Sequence, residues 1–136
     1  MSFTKQPLRL LALAALPLLA LGCGGQSEDP DTLNRKAELA EIYDMYALYQ
    51  KNHPTEHPPQ GVSDLTDRND PVHAMGMRVL TNGEYHVVWG LDVRGKDSGR
   101  VLAYEKDALT QGGWAVTTDG SIRKMSAEDL KAAIGQ

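Results

Sequence analysis

The residues from His53 to His57 have the types and the spacing of a zinc-binding motif. They read His-x-x-Glu-His, the order found in one class of zinc peptidases. That chemistry needs both histidines on one face of a helix, with Glu56 placed to activate a water molecule. Prolines inside and directly after the motif prevent a helix from running through it. We therefore interpret it as a solvated loop and predict no metal centre, while adventitious metal binding by the two histidines stays open.

Three oxygen-bearing side chains follow at close spacing, namely Asp67, Asn69 and Asp70. Carboxylate and amide oxygens suit Ca²⁺, but the run lacks the Asp-x-Asn-x-Asn-Gly order of a calcium loop and ends at Pro71. The chain offers few candidate nucleophiles for catalysis, since it has one cysteine and no serine in a Gly-x-Ser-x-Gly turn. We predict that the protein is not an enzyme and needs no cofactor.

Two tryptophans could form an aromatic platform for a sugar or a peptide. Trp89 lies in a predicted strand on the same face as Tyr85 and Val87, so we interpret it as a core residue. Trp114 follows a Gly-Gly pair and is the better candidate for partial exposure. Trp114 is therefore the residue we predict to contact a ligand or a partner.

A long helix is the first element that must position these residues. From Thr32 to about Lys51 the apolar residues recur at helical spacing. Asp31 or Thr32 is the predicted N-cap, and the polar side carries Glu38, Glu41 and the pair Arg35-Lys36. The predicted core face consists of Leu39, Ile42, Tyr43, Tyr46 and Tyr49. A proline-rich crossing then leads to short helical turns, predicted at 63–65 and 72–79.

The second half of the chain alternates with a period of two, which is typical of strands. Strands are predicted at 84–93, 100–105, 114–118 and 121–125, and a closing helix is predicted after Ser126 as its cap. Asp119-Gly120 predicts a type I′ hairpin turn, because both residues tolerate positive φ. The predicted fold is α+β: an N-terminal helix packed on the buried face of a three- to four-stranded antiparallel meander, with a short C-terminal helix.

The N-terminus has the layout of a secretory signal. Lys5 and Arg9 precede an apolar run over 10–21, which is shorter than the roughly 20 residues of a bilayer span. The run ends in Ala20-Leu21-Gly22-Cys23, which resembles the bacterial lipobox. The resemblance implies cleavage between Gly22 and Cys23 and acylation of Cys23, and stable anchoring takes more than one acyl chain. The alternative is an uncleaved signal anchor with a free thiol.

Cleavage divides the chain into a signal peptide (1–22), an acidic tether (23–31) and one globular domain (32–136). The signal holds two basic residues and no acidic ones, so 12 basic and 18 acidic residues remain. This balance argues against a nucleic-acid partner and against docking on anionic lipid by charge alone. Gly24 follows the cysteine in place of the Asp that retains lipoproteins at the inner membrane. We therefore expect an outer-membrane anchor, facing the periplasm or the surface.

Two stretches resemble pilin-like proteins. Residues 49–65 are similar to the globular part of type II secretion pseudopilins, and residues 101–122 are similar to the C-terminal end of proteins with a His-x9-Asp-Gly hairpin signature. Leu109 stands in place of the signature histidine, and a lipobox replaces the prepilin cleavage site and its hydrophobic helix. The resemblance implies a structural or assembly role rather than catalysis.

Two functions follow as hypotheses. The first is a non-catalytic envelope module, anchored in the membrane by lipid, that binds another envelope protein or scaffolds an assembly. The alternative is an envelope binding protein for a small ligand or a glycan, which would use the sheet edge and Trp114.

Overall fold

The elements confirm the predicted α+β class. The computed structural model describes residues 28–66 and 74–135. The helices are α1 (Pro30–Asn52), α2 (Val62–Thr66), α3 (Ala74–Thr81), α4 (Ala108–Gln111) and α5 (Ala127–Ile134), and the strands are β1 (Tyr85–Val87), β2 (Val101–Glu105), β3 (Gly113–Thr117) and β4 (Ile122–Met125). The four strands form one antiparallel sheet in chain order. The predicted signal peptide with Gly22 and Cys23, and the candidate calcium ligands Asp67, Asn69 and Asp70, lie outside the described residues.

Helix α1 begins earlier than predicted. Its N-cap is Asp29, whose carboxylate accepts a hydrogen bond from the Thr32 backbone N at 2.9 Å and another from the Thr32 hydroxyl at 2.7 Å. Pro30 can then occupy the first turn, where a missing N–H costs nothing. The predicted cap at Asp31 or Thr32 is therefore wrong, and the helix starts within the segment that was predicted as tether.

Both faces of the sheet are covered. Successive residues of a strand point to opposite faces, so Trp114 and Val116 pack under α1, while Ala115 packs against Leu130 of α5. The predicted cap of α5 is confirmed, because the Ser126 hydroxyl accepts a bond from the Asp129 backbone N at 3.1 Å. A sheet with only one buried face was therefore the wrong expectation, since α4 and α5 cover the second face.

The predicted strand over 84–93 is mostly wrong, because only Tyr85–Val87 pair with β2. The Val88 N still donates to the Leu102 carbonyl at 2.8 Å, and after it the chain leaves the sheet and follows α1. The Tyr46 hydroxyl accepts a bond from the Leu91 backbone N at 2.9 Å and donates to the Pro59 carbonyl at 3.4 Å. The buried Gln50 amide donates to the Leu91 carbonyl at 2.9 Å and accepts from the Val93 N at 3.0 Å. Two side chains of α1 thus replace the missing strand partner.

We expect Tyr46→Phe to lower the free energy of unfolding by about 1–3 kcal/mol, because it leaves the buried Leu91 N–H without its acceptor. Burial raises the pKa of Tyr46 to about 12, so the hydroxyl stays protonated. Tyr43→Phe is the matched control, since the Tyr43 hydroxyl has no hydrogen-bond partner in the described part of the chain. Urea titration of both variants measures the difference. Equal losses in the two variants would contradict this role of Tyr46.

The closing hairpin is present, but its turn is not type I′. A type I′ turn needs positive φ at Asp119, and no described residue other than glycine has positive φ. The Gly120 N donates instead to the Thr117 carbonyl at 2.9 Å, and the Thr117 N donates to the Ser121 carbonyl at 3.0 Å. Gly120, with φ at 81°, ends a three-residue loop of the kind built from a type I turn and a left-handed residue. The positive φ predicted for Gly120 is confirmed.

We expect the domain to lose stability as the pH falls below about 4. The pKa values of Asp29, Asp92 and Asp119 are all lowered from 3.8, chiefly by side-chain hydrogen bonds from Thr32, Arg94 and Thr117 respectively. A lowered folded-state pKa adds stability that is complete above the unfolded-state pKa and is lost as the pH falls through the folded-state value. Thermal melts between pH 3 and 6 should show this fall, and Asp92→Asn should make it shallower. A melting temperature that rises on acidification would contradict this.

Candidate functional site

A polar groove surrounds Trp114 where α1 crosses one end of the sheet. Its volume is about 660 Å³. Trp114 is partly buried against the core, which agrees with the partial exposure expected of it. The groove is lined by Arg35 and Glu38 of α1, Glu84 and Tyr85 at β1, Glu105, Lys106 and Asp107 after β2, Ala108 and Gln111 of α4, Gly112, Gly113 and Trp114 at β3, and Lys124 of β4.

Lysines flank the Trp114 indole on two sides. Trp114 pairs with Lys124 across β3 and β4, so both side chains lie on the α1 face of the sheet. The Lys36 Nζ lies 4.6 Å from the ring centroid, in cation–π contact, and also forms an ion pair with Glu28. In this arrangement Lys36 covers one face of the indole.

Glu105 joins α1 to the start of β3. One carboxylate oxygen accepts the Trp114 backbone N–H at 2.7 Å, and the other lies 3.3 Å from the Arg35 guanidinium. The adjacent Gly113 leaves room for this carboxylate, because a Cβ there would lie 2.5 Å from the Glu105 Oε2. Glu105 therefore links the backbone at Trp114 to Arg35 of α1.

Tyr85 and Glu38 form the opposite wall. The Tyr85 hydroxyl donates to the Glu38 carboxylate at 2.7 Å, and the Arg78 guanidinium lies 3.8 Å from the same carboxylate. Burial and the bond to Glu38 both raise the pKa of Tyr85. Tyr85 is thus a hydrogen-bond donor at neutral pH rather than a nucleophile or a base.

The remaining cations of the groove are available to a ligand. Neither Lys106 nor Lys124 forms an ion pair within the part of the chain that the structure describes. Glu84 and Asp107 lie on the same walls. An aromatic ring between charges of both signs suits a polar peptide or protein surface, whose recognition combines such rings with a polar rim.

The side chains of the His-x-x-Glu-His motif contact near neighbours in the sequence and do not converge on a common metal position. The His53 Nδ1 lies 2.8 Å from the Glu56 carboxylate, which also accepts a bond from Tyr49 at 3.4 Å. The His57 Nδ1 lies 2.9 Å from the Pro58 carbonyl. Over residues 28–66 and 74–135, no group of three or more His, Cys, Asp or Glu side chains is placed to hold a metal ion.

Most of the groove is not evident from the sequence. Arg35, Lys36 and Glu38 belong to the predicted polar side of α1, and Glu105 has no predicted role. The pairing of Trp114 with Lys124 depends on the three-residue loop over 118–120, whereas the predicted two-residue turn would have placed Met125 opposite Trp114. The contact of Glu105 with Arg35 could not be predicted, since the two residues lie far apart in the sequence. The other tryptophan, Trp89, stacks on Tyr46 with ring centroids 6.1 Å apart, consistent with a core role.

Comparison with models of protein families, with curated proteins and with solved structures finds no match. None of the helices that the structure describes is both long enough and apolar enough to cross a membrane. What the chain does has to be inferred from its own residues.

Proposed function

We propose that the chain is a lipid-anchored, extracytoplasmic and non-catalytic module that binds another protein or scaffolds an assembly in the cell envelope. The lipobox-like sequence ending at Cys23 supports the anchor, and Gly24 favours the outer membrane. The Trp114 groove supports protein recognition, and it is the single observation that carries this part of the proposal. The pilin-like resemblance adds an assembly role, which is compatible with a long helix followed by an antiparallel meander.

The anchor would hold the groove close to the membrane. Six residues separate Cys23 from Pro30, and the fully extended chain between these two Cα atoms spans at most about 25 Å. Arg35 and Glu38 lie within the first turns of α1, at the end nearest the anchor. A partner that enters the groove would therefore sit within a few tens of ångströms of the bilayer surface, as another envelope protein does.

A protein partner fits the groove better than a glycan does. A sugar stacks on an open aromatic face, whereas Lys36 lies over the Trp114 ring and is also paired with Glu28. Protein interfaces use tryptophan and arginine together with satisfied charges around them. If a glycan were the ligand, its addition would displace Lys36 and produce a saturable change in tryptophan fluorescence.

Site-specific photocrosslinking in the native cell tests the proposal. A photoreactive amino acid at Gln111, on the groove wall, should give a discrete adduct with an envelope protein. The matched control is the same amino acid at Lys51, which is also exposed but lies at the far end of α1. Identical adducts from both positions, or none from Gln111, would contradict protein binding in this groove.

A further inference from the structure

Strand β4 presents an open edge whose free backbone groups can be assigned. The bond from the Thr117 N to the Ser121 carbonyl sets the phase of the β3–β4 ladder, since hydrogen-bonded pairs alternate with non-bonded pairs in antiparallel strands. Trp114 and Lys124 are then a non-bonded pair, which agrees with the Trp114 N–H pointing the other way, to Glu105. The N–H and C=O groups of Ile122 and Lys124 therefore point away from the sheet. No other strand among the described residues pairs with β4.

The edge carries two adjacent positive charges. Arg123 and Lys124 are both exposed and, as neighbours in a strand, lie on opposite faces of the sheet. Within residues 28–66 and 74–135 neither forms an ion pair. Charged side chains on an edge disfavour pairing with a like-charged strand. Two copies joined through β4 would bring these cations together, whereas an acidic strand would neutralise them.

We propose that β4 is the docking strand for an extended segment of a partner protein that carries two adjacent acidic residues. The segment adds to the sheet as a fifth strand and exchanges backbone hydrogen bonds with Ile122 and Lys124. Its two carboxylates point to opposite faces, so one meets Lys124 and the other meets Arg123. The face that carries Lys124 opens into the Trp114 groove, so this inference rests on the proposed protein-binding function.

The test uses the full chain in detergent micelles and a fluorescent eight-residue peptide of Val and Thr with two adjacent Glu at its centre. The same peptide with two Lys should bind at least about tenfold more weakly, because each opposite-charge pair across strands adds modest stabilisation. Lys124→Glu should abolish this preference, because Arg123 still favours the Glu peptide while the new glutamate favours the Lys peptide. Lys51→Glu makes the same charge change away from β4 and should leave it intact.

A separate variant tests the backbone hydrogen bonds between β4 and the added strand. Lys124→Pro removes an N–H that points to solvent, a position where an edge strand tolerates proline, and should abolish binding of the Glu peptide. Lys124→Ala keeps the N–H and should only weaken binding. If Lys124→Pro does not fold, the test uses the unaltered chain and two N-methylated Glu peptides. One peptide is methylated at every second residue, and the other is methylated at the residues in between. Only the peptide whose methylated groups face β4 should lose binding.

Three results would overturn the docking strand: equal binding of the Glu and Lys peptides, equal binding of both N-methylated peptides, or a dimer of the chain that Lys124→Pro dissolves. Crosslinking from Gln111 distinguishes these failures from failure of the proposed function. If that adduct forms and is unchanged in Lys124→Ala, while the Glu peptide does not bind, the groove binds a protein and β4 is not its docking strand. If neither the Gln111 adduct nor binding of the Glu peptide is seen, both proposals fail.

Discussion

Gly120→Val is expected to lower the free energy of unfolding by about 2–4 kcal/mol, the largest loss of stability that we expect from one substitution in the closing hairpin. Two effects add. Gly120 has φ at 81°, and a β-branched residue held there costs about 1–3 kcal/mol. A Cβ would also lie 3.2 Å from the Tyr43 ring, so the side chain would press against α1 and overpack the contact. For a domain of this size each kcal/mol moves the melting temperature by roughly 4–8 °C.

Gly83→Val is the matched control, because it separates the two effects. Gly83 has φ at 76°, but a Cβ there would meet nothing within 4 Å. The control should therefore show the backbone cost alone, and the extra loss in Gly120→Val should shrink when Tyr43 is replaced by Leu. Thermal melts of Gly120→Val, Gly83→Val, Tyr43→Leu and the double variant of Gly120 and Tyr43 measure this. Equal losses in Gly120→Val and Gly83→Val would mean that the hairpin does not press on α1, and a wild-type melting temperature for Gly120→Val would contradict both effects.

Elements with local signals were predictable from the sequence. The last two strands, the positive φ of Gly120 and the Ser126 cap each depend on residues within a few positions of one another, and each is confirmed. Helix α4 was missed, since four residues between two strands carry no periodicity. The turn type was wrong because Asp119 tolerates both signs of φ, and its identity alone does not choose between them.

The residues after β1 show why an alternating apolar pattern alone does not establish a strand. Trp89 and Leu91 continue the apolar pattern of Tyr85 and Val87, yet Trp89 is partly buried on Tyr46 of α1 and Leu91 is buried outside the sheet. The Gln50 amide that binds the backbone at Leu91 and Val93 lies more than forty residues away in the chain. A buried glutamine on a predicted helix has no local signature. Its partners become evident only once the helix has been placed on the sheet.

Trp114, at the centre of the groove, could be predicted from the sequence, but the residues that form the groove walls could not. Trp114 was singled out because glycines precede it, a local observation. Arg35 and Glu38 are charged residues at helical spacing, a pattern that ordinarily indicates a solvated face. Their contacts with Glu105 and Tyr85 depend on how α1 crosses the sheet. The charged residues on one face of a helix therefore do not reveal the site until the packing of α1 on the sheet is known.

Replacement of Cys23 by Ser is the second substitution with a large expected effect, because it should remove the membrane anchor altogether. A serine hydroxyl cannot form the thioether that carries the lipid. Each buried CH₂ of an acyl chain contributes about 0.8 kcal/mol to membrane binding, so losing every chain should transfer the protein to the aqueous phase or leave the signal uncleaved. Ala20→Leu is the matched control. It restores the residue most usual in a lipobox and should leave lipidation intact.

Metabolic labelling with a fatty-acid probe, followed by detergent-phase partitioning, tests the anchor most directly. We expect label and detergent-phase protein from the unaltered chain and from Ala20→Leu, and no label from Cys23→Ser, whose cleaved form should move to the aqueous phase. Undiminished label in Cys23→Ser would contradict the proposal that this chain is a lipid-anchored module.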